Sequence, residues 1–286
     1  PPMAGLKKLA LATADIKYTD IYRSEIFRDN KKDQEPFVPK VPYVNMHEAI
    51  VNSSNVYFIR LANDNYLEDE MAALYQATGM RLHQRGGYDY TMLHDARKQS
   101  SDLAYWRKDV LNKDHRQYNN PDFAGKTKRY RSMYSGIAWG QSVLTATPAS
   151  MARMAGAIAN QGVLQPSRYC MQEAGTSHPV TEGMQICKDS AYASVLKQYM
   201  IDQSSTPGRQ KVRTSKVAGK TGTPERIING LKQQDGWYVF FAPRPDGNSY
   251  TVACIRIEEG QSSVNAVAVA NTVANILHRR EYMGSF

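Results

Sequence analysis

Cysteine is scarce: Cys170, Cys187 and Cys254 are the only three in 286 residues. Three cannot build the even, multi-bridge framework of a small secreted domain, and a chain this long can bury a core without one. A Cys170–Cys187 bridge stays open, whereas Cys254 lies inside an apolar strand pattern and reads as packed. Long apolar runs are also missing. No stretch approaches the ~20 residues of a membrane helix, and no signal peptide is visible. The chain opens at Pro1-Pro2, so a membrane anchor is expected outside it. Histidines lack metal-ligand spacing: His47-Glu48 has Val51, not a second histidine, four residues on, and no metal is expected. The balance of 36 Lys+Arg against 27 Asp+Glu gives +9, yet no dense basic run exists. The nearest, over 126–131, reads as a solvated face. A nucleic-acid binder is therefore not expected. Cofactor loops are absent too. Gly219-Lys220-Thr221 has Thr214 where a phosphate loop needs glycine, and Gly125-Lys126-Thr127 has Asn120 there. Neither internal repeats nor low-complexity segments occur.

What is present reads as a mixture of helices and strands. Pro1-Pro2 precede a helix near residues 4–12, with Leu6, Leu9, Ala10 and Thr13 on one face. Asn45 caps a short helix over 45–51, and a second begins near Val56, which leaves Ser53 and Asn55 in the connection. Helical pieces are expected over 69–78 and 95–112. The region of about 65–133, rich in tyrosine and charge, reads as an insertion to which no chemistry is assigned. Thr147 and Pro148 start a helix that Gln161-Gly162 ends, with Met151, Met154, Ala155 and Ile158 on one face. Another helix spans about 190–202. From about 210 to 286 the pattern is three antiparallel strands and a covering helix. The strands are 211–217 leading into Lys220, 237–241, and 250–257, the last two joined at Asp246-Gly247-Asn248. The helix runs over about 265–280, with Ala266, Ala268, Ala270 and Val273 packing.

The stretch 217–224 concentrates chemistry. Lys220 supplies a fixed cation, and Thr221 and Thr223 supply short hydroxyls. Gly222 leaves room for another backbone to approach. A cation, hydroxyls and an open strand edge suit an extended peptide ending in a carboxylate. Taken alone, the triplet Lys220-Thr221-Gly222 reads rather as a tight turn ending a strand.

Together with other segments it resembles the penicillin-binding proteins, specifically their D,D-transpeptidase domain of the class B kind. That family orders three motifs as Ser-x-x-Lys, Ser-x-Asn and Lys-Thr-Gly. Here Ser53-Ser54-Asn55 fits the second and Lys220-Thr221-Gly222 the third. Gly140-Gln141, Thr147-Pro148 and Asn160-Gln161-Gly162 fit the segment between them. The run 236–243 fits the strand after Lys-Thr-Gly, and Pro224-Glu225-Arg226 points to class B. The resemblance covers nearly the whole chain. It implies an α+β fold in which an antiparallel sheet is covered by helices. An all-helical subdomain joins it, the active site lies between them, and the N-terminal strands of the sheet are missing. Residues 1–286 then form a single transpeptidase domain, a fragment of a longer chain.

The first motif departs from the pattern. By position it falls on Ala4-Gly5-Leu6-Lys7, with alanine where the nucleophilic serine belongs. A literal Ser-x-x-Lys at Ser194 and Lys197 comes after Ser53 and reads as an ordinary helix surface. The resemblance implies serine acyl transfer from a D-alanyl-D-alanine stem peptide, with β-lactams as mimics and no cofactor. Lys7 would be the base. Ser53 would relay the proton, Asn55 would orient Lys7 and the substrate amide, and Lys220 would keep the site electropositive. Thr221, Gly222 and Thr223 would bind substrate, and the backbone N–H groups of residue 4 and Thr223 would form an oxyanion hole. Ala4 would stop acylation. It is an engineered serine-to-alanine change, or a native residue of a non-catalytic sensor or scaffold, or a sign that the first motif lies upstream of residue 1. The implied setting is the periplasm, at the outer face of the cytoplasmic membrane, with a membrane glycosyltransferase as partner.

Overall fold

The computed structural model describes residues 18–19, 43–65, 67–82, 136–141, 144–168, 172–173, 176–177, 182–187, 189–207, 211–259 and 262–286. The expected helices over 4–12, with Ala4 and Lys7, and over 95–112 lie outside them, as does most of 65–133. The chain divides into two compact units, one within Thr13–Thr145 and one that includes Ala146–Phe286.

In the first unit, β1 (Tyr18–Thr19) pairs antiparallel with β2 (Tyr43–Val44). Helix α1 (Met46–Asn52) starts as expected: Asn45 Oδ1 accepts the Glu48 N–H at 2.9 Å, and Glu48 Oε2 accepts the Asn45 N–H at 2.9 Å. This reciprocal box satisfies two donors that a helix start otherwise orphans. Helix α2 (Asn55–Asn65) follows at once, and α3 (Glu68–Thr78) ends on Gly79 at φ 83°. Then β3 (Arg81–Leu82) pairs with β4 (Leu144–Thr145). Ala62 and Ile137 are buried among Leu67, Met71, Tyr75, Ala138 and Leu144. The Tyr75 hydroxyl donates to Ile137 O at 2.7 Å, and burial pushes its pKa up.

In the second unit, α4 (Pro148–Ala159) carries Pro148 in its first turn. Thr147 Oγ1 accepts the Ser150 N–H at 3.1 Å, and Ser150 Oγ accepts the Thr147 N–H at 2.9 Å. Its buried apolar residues are Ala155, Ala157 and Ala159, while Met151 and Met154 are only half-buried. Small strands β5 (Val163–Leu164), β6 (Gln172–Glu173), β7 (Thr176–Ser177) and β8 (Met184–Gln185) pair as β5–β8 and β6–β7. Helix α5 (Ser190–Ser205) is capped by Asp189 Oδ1, which accepts the Ala191 N–H at 2.8 Å.

Among the described residues the main sheet of this unit is β9 (Ala218–Gly222), β12 (Gly236–Pro243) and β13 (Tyr250–Ile257), antiparallel in the order β13-β12-β9. Helix α6 (Ser263–Arg279) covers one face: Val217, Tyr238, Phe240 and Ala242 pack with Ala266, Val267, Ala270 and Ala274. The other face meets α4 and α5, through Ala218, Val239 and Phe241 with Ala155, Met200 and Ile201. The antiparallel sheet with covering helices is as expected.

Three details correct the sequence reading. The β-branched run 211–217 is not a strand, and β9 begins only at Ala218. Its backbone is bound instead by side chains of α6 and the C-terminal tail: the Arg213 N–H donates to Asn271 Oδ1 at 2.8 Å, Asn271 Nδ2 donates to Lys211 O at 3.2 Å, and the Lys216 N–H donates to Ser285 Oγ at 2.8 Å. Ala268, expected to pack, is exposed, while Val267 and Ala274 are buried. Between β9 and β12 the chain makes a hairpin, β10 (Glu225–Ile228) with β11 (Leu231–Gln234), where only a turn was expected.

Candidate functional site

Ser53, Ser54 and Asn55 lie at the junction of α1 and α2, and each has a different local job. Ser53 is the C-cap of α1, at φ 57° and ψ 45°, and its N–H points back to the Ala49 and Ile50 carbonyls. Left-handed backbone is unusual for a residue with a Cβ and terminates a helix abruptly. Ser54 is 6% exposed, and its Oγ accepts the Tyr57 N–H at 3.3 Å, the bond of an N-cap. Asn55 is the first helical residue of α2 rather than part of a loop, which corrects the expected connection. Capping thus falls to the middle residue. Ser53 is exposed and Asn55 half-buried.

In the second unit, Lys220, Thr221 and Gly222 lie on β9, and Thr223 follows it. Among the described residues β9 pairs only with β12, so it is an edge strand. Register puts Lys220 beside Val239, Thr221 beside Tyr238 and Gly222 beside Trp237. Side chains alternate across the sheet, so Lys220 and Gly222 share one face and Thr221 takes the other. Lys220 Nζ donates to Thr221 O at 3.0 Å. All four residues from Lys220 to Thr223 are half-exposed.

The glycines here differ in kind. A Cβ on Gly219 would fall 2.2 Å from the Tyr238 hydroxyl and 2.8 Å from Ser204 Oγ, so a side chain there would force Tyr238 and Ser204 to shift. At Gly222 the nearest atom would be Trp237 Cβ at 3.5 Å, an ordinary contact. Packing within the described residues therefore does not require glycine at 222.

Sequence reasoning missed the ion network just after Thr223. Asp235 is 4% exposed, and its Oδ2 accepts from Arg256 Nε at 3.0 Å and Nη2 at 2.7 Å. Arg226 Nε lies 2.9 Å from Asp235 Oδ1, an ion pair too bent for a hydrogen bond. Arg256 Nη1 also pairs with Glu258 Oε1 at 2.8 Å, and its guanidinium stacks 5.5 Å from the Trp237 ring centroid. The Asp235 N–H donates to Pro224 O at 3.1 Å, closing the base of the β10–β11 hairpin. Asn229-Gly230, both at positive φ, is the hairpin's turn and was the signal available in the sequence.

Ser194 and Lys197 behave as helix surface. Ser194 Oγ donates to Ser190 O at 3.1 Å within α5, and Lys197 Nζ donates to the Tyr250 hydroxyl at 3.2 Å. Cys187 and Cys254 are free thiols, and Cys170 lies outside the described residues. Among the described residues no helix is long and apolar enough to cross a membrane. Nor does any group of three or more His, Cys, Asp or Glu among them come together as a metal site.

Comparison with known proteins identifies the family and the fold. A family model described as penicillin binding protein transpeptidase domain matches residues 13–278. Among solved structures, PBPA from Mycobacterium tuberculosis is 18% identical, with 96% of this chain and 59% of that chain covered at a TM-score of 0.58. PBP2 of Pseudomonas aeruginosa, solved in complex with WCK 5153, is 18% identical over 98% of this chain and 60% of its own, with a TM-score of 0.56. A peptidoglycan synthetase from Bifidobacterium adolescentis is 16% identical, covering 99% of this chain and 48% of its own, at 0.62. At such identities these structures show a shared fold, and this chain spans less than two thirds of each of their lengths. A comparison with curated proteins finds no match.

Proposed function

The chain belongs to the penicillin-binding protein transpeptidase domain family, and from that premise we propose that it binds the D-alanyl-D-alanine end of a peptidoglycan stem peptide along β9. One observation carries this reading: Lys220, Thr221 and Gly222 sit on an edge strand of the described sheet. An extended peptide can add to such an edge through main-chain hydrogen bonds. Thr221 and Thr223 then bind the terminal carboxylate, and Lys220 keeps the surroundings electropositive. Gly222 leaves the substrate backbone room to approach.

The reaction proper to the family is acyl transfer to serine. Lys7 is the base, Ser53 relays the proton to the leaving amine, and Asn55 orients Lys7 and the substrate amide. The N–H groups of residue 4 and Thr223 stabilise the oxyanion. With Ala4 in place of the nucleophile, this chain binds stem peptides and β-lactams without forming an acyl-enzyme. The site acts at the outer face of the cytoplasmic membrane, and a membrane glycosyltransferase is the partner that supplies glycan strands.

A fluorescent penicillin tests this. The Ala4→Ser variant is expected to carry the label through denaturation, while the chain with Ala4 does not. Ser194→Ala in the Ala4→Ser background is expected to leave labelling unchanged. A folded Ala4→Ser protein that stays unlabelled overturns the assignment. Ala4 itself favours a second reading, a natively non-catalytic domain that senses β-lactams or scaffolds cell-wall synthesis. Alanine at this codon in the encoding gene, with reversible penicillin binding, supports that reading, and serine there rules it out.

A further inference from the structure

We propose that Asp235 is a positioning residue for the Lys220 to Thr223 segment, acting through the ion pairs that fix the hairpin behind it. The proposal rests on the reading of β9 as the peptide-binding strand. Asp235 is joined to three different parts of the unit. Its N–H holds Pro224 O, the carbonyl one residue past Thr223. Its Oδ1 faces Arg226 at 2.9 Å on β10, and its Oδ2 accepts two N–H groups from Arg256 on β13. Arg256 is in turn held by Glu258 and stacked on Trp237, the residue directly beside Gly222. Thr223 is thus bracketed between a strand whose register is set by β12 and a hairpin whose base is pinned by one buried carboxylate.

Nothing else in the pattern asks for an aspartate at 235. It precedes Gly236, where a Cβ would fall 2.1 Å from Ser262 O, so the backbone at this corner is already tightly packed. A buried carboxylate is costly unless paired and hydrogen-bonded, and here Oδ2 is hydrogen-bonded to Arg256 while Oδ1 is ion-paired with Arg226. Charge-assisted bonds of this kind have fixed geometry, which is the property that a segment supplying backbone donors to a substrate requires. Asp235 touches no reacting atom in this scheme. Its role is to hold Pro224, and through it the Thr223 amide, at a constant distance from the sheet.

The test uses amide hydrogen exchange and equilibrium binding of N-acetyl-D-alanyl-D-alanine to the chain as it stands. Asp235→Asn keeps the size and the backbone bond but removes the charge. Arg226→Gln breaks the pairs of Arg226 with Asp235 and Glu258, leaves those of Arg256 in place, and guards against a folding defect at 235. In both variants, exchange over 221–228 is expected to rise roughly tenfold or more relative to wild type, with α4, α5 and α6 unchanged. Dipeptide affinity is expected to fall by a similar factor. Uniformly faster exchange would mark a merely structural role and overturn the proposal. So would unchanged exchange over 221–228 in folded Asp235→Asn. Local loosening in the variants, with a wild type that binds no dipeptide, upholds the positioning role and overturns only the functional reading.

Discussion

The Ser54 hydroxyl accepts the Tyr57 backbone N–H at 3.3 Å, so within Ser53-Ser54-Asn55 the N-cap bond of α2 belongs to the middle residue. Ser53 contributes backbone conformation, turning left-handed at the end of α1. Two adjacent serines therefore answer to different demands.

Substitution separates them. Ser54→Ala is expected to destabilise the protein by about 1 kcal/mol through loss of the cap. Ser53→Gly relieves a left-handed residue of its Cβ and is expected to be neutral or to stabilise by up to about 1 kcal/mol. In the Ala4→Ser background, however, Ser53→Gly should abolish penicillin labelling. Urea midpoints and labelling together check this pair. A Ser53→Gly protein that still labels at the parental rate removes Ser53 from the proton relay.

The two glycines of β9 give a second test. Gly219→Ala forces a Cβ into the Tyr238 hydroxyl and Ser204 Oγ, and is expected to cost about 1–3 kcal/mol. Gly222→Ala meets nothing closer than Trp237 Cβ at 3.5 Å, so its stability should stay within about 0.5 kcal/mol of wild type. Dipeptide binding should nevertheless weaken in Gly222→Ala, because the methyl group occupies space left for a second backbone. Equal binding by Gly222→Ala and wild type would dissociate that glycine from recognition.

Local chemistry explains which parts of this fold were legible. Asn45 with Glu48, and Thr147 with Ser150, carry their helix starts in side chains that bond within one turn, and Pro148 fixes the first helical residue, so the boundaries follow from sequence. The hairpin at Asp246-Gly247-Asn248 is local too, with the Asn248 N–H donating to Asp246 Oδ1 at 3.0 Å. The run 211–217 misled because its partners, Asn271 and Ser285, are about sixty residues or more away. Its β-branched composition describes a pleated environment that those side chains supplied by other means. Ala268 misled for a similar reason: α6 carries no charge before its last turn, so its composition does not show which apolar stripe faces the sheet. The third motif was legible as residue types, but its edge position on the described sheet came only from strand order. The Asp235 network was invisible because ion pairs among Arg226, Asp235 and Arg256 leave no spacing rule in a single sequence.

Stability toward base should fall in a defined window. Burial pushes the Cys254 thiol up to about 12 from an ordinary 9.0, and raises Cys187 and Tyr238 as well. A folded-state value above the unfolded one means that the folded state holds its proton longer. The associated stability is complete below about pH 9 and is lost as pH climbs toward 12. Urea midpoints at about pH 8 and about pH 11 should therefore differ, and Cys254→Ala should narrow the difference. Iodoacetamide at about pH 8 should modify the denatured chain much faster than the native one. A midpoint that is flat across this range would show that the buried thiol and phenol groups do not carry the linkage.

The segment leading into β9 depends on one side chain of α6. Asn271 Oδ1 accepts the Arg213 N–H at 2.8 Å, while its Nδ2 donates to Lys211 O at 3.2 Å and Val267 O at 2.9 Å. Asn271→Ala removes both functions, and because these backbone groups are at least partly open to water the expected cost is about 0.5–1.5 kcal/mol. Asn271→Asp keeps the acceptor and loses the donor, so it should cost less, and the protection of the Arg213 amide should survive in it. Hydrogen exchange at Arg213 reads this directly: fast exchange in Asn271→Ala with retained protection in Asn271→Asp is the expected pattern. If both variants protect Arg213 as wild type does, the entry to β9 is held by the sheet rather than by α6, and the rejection of 211–217 as a strand would need revision.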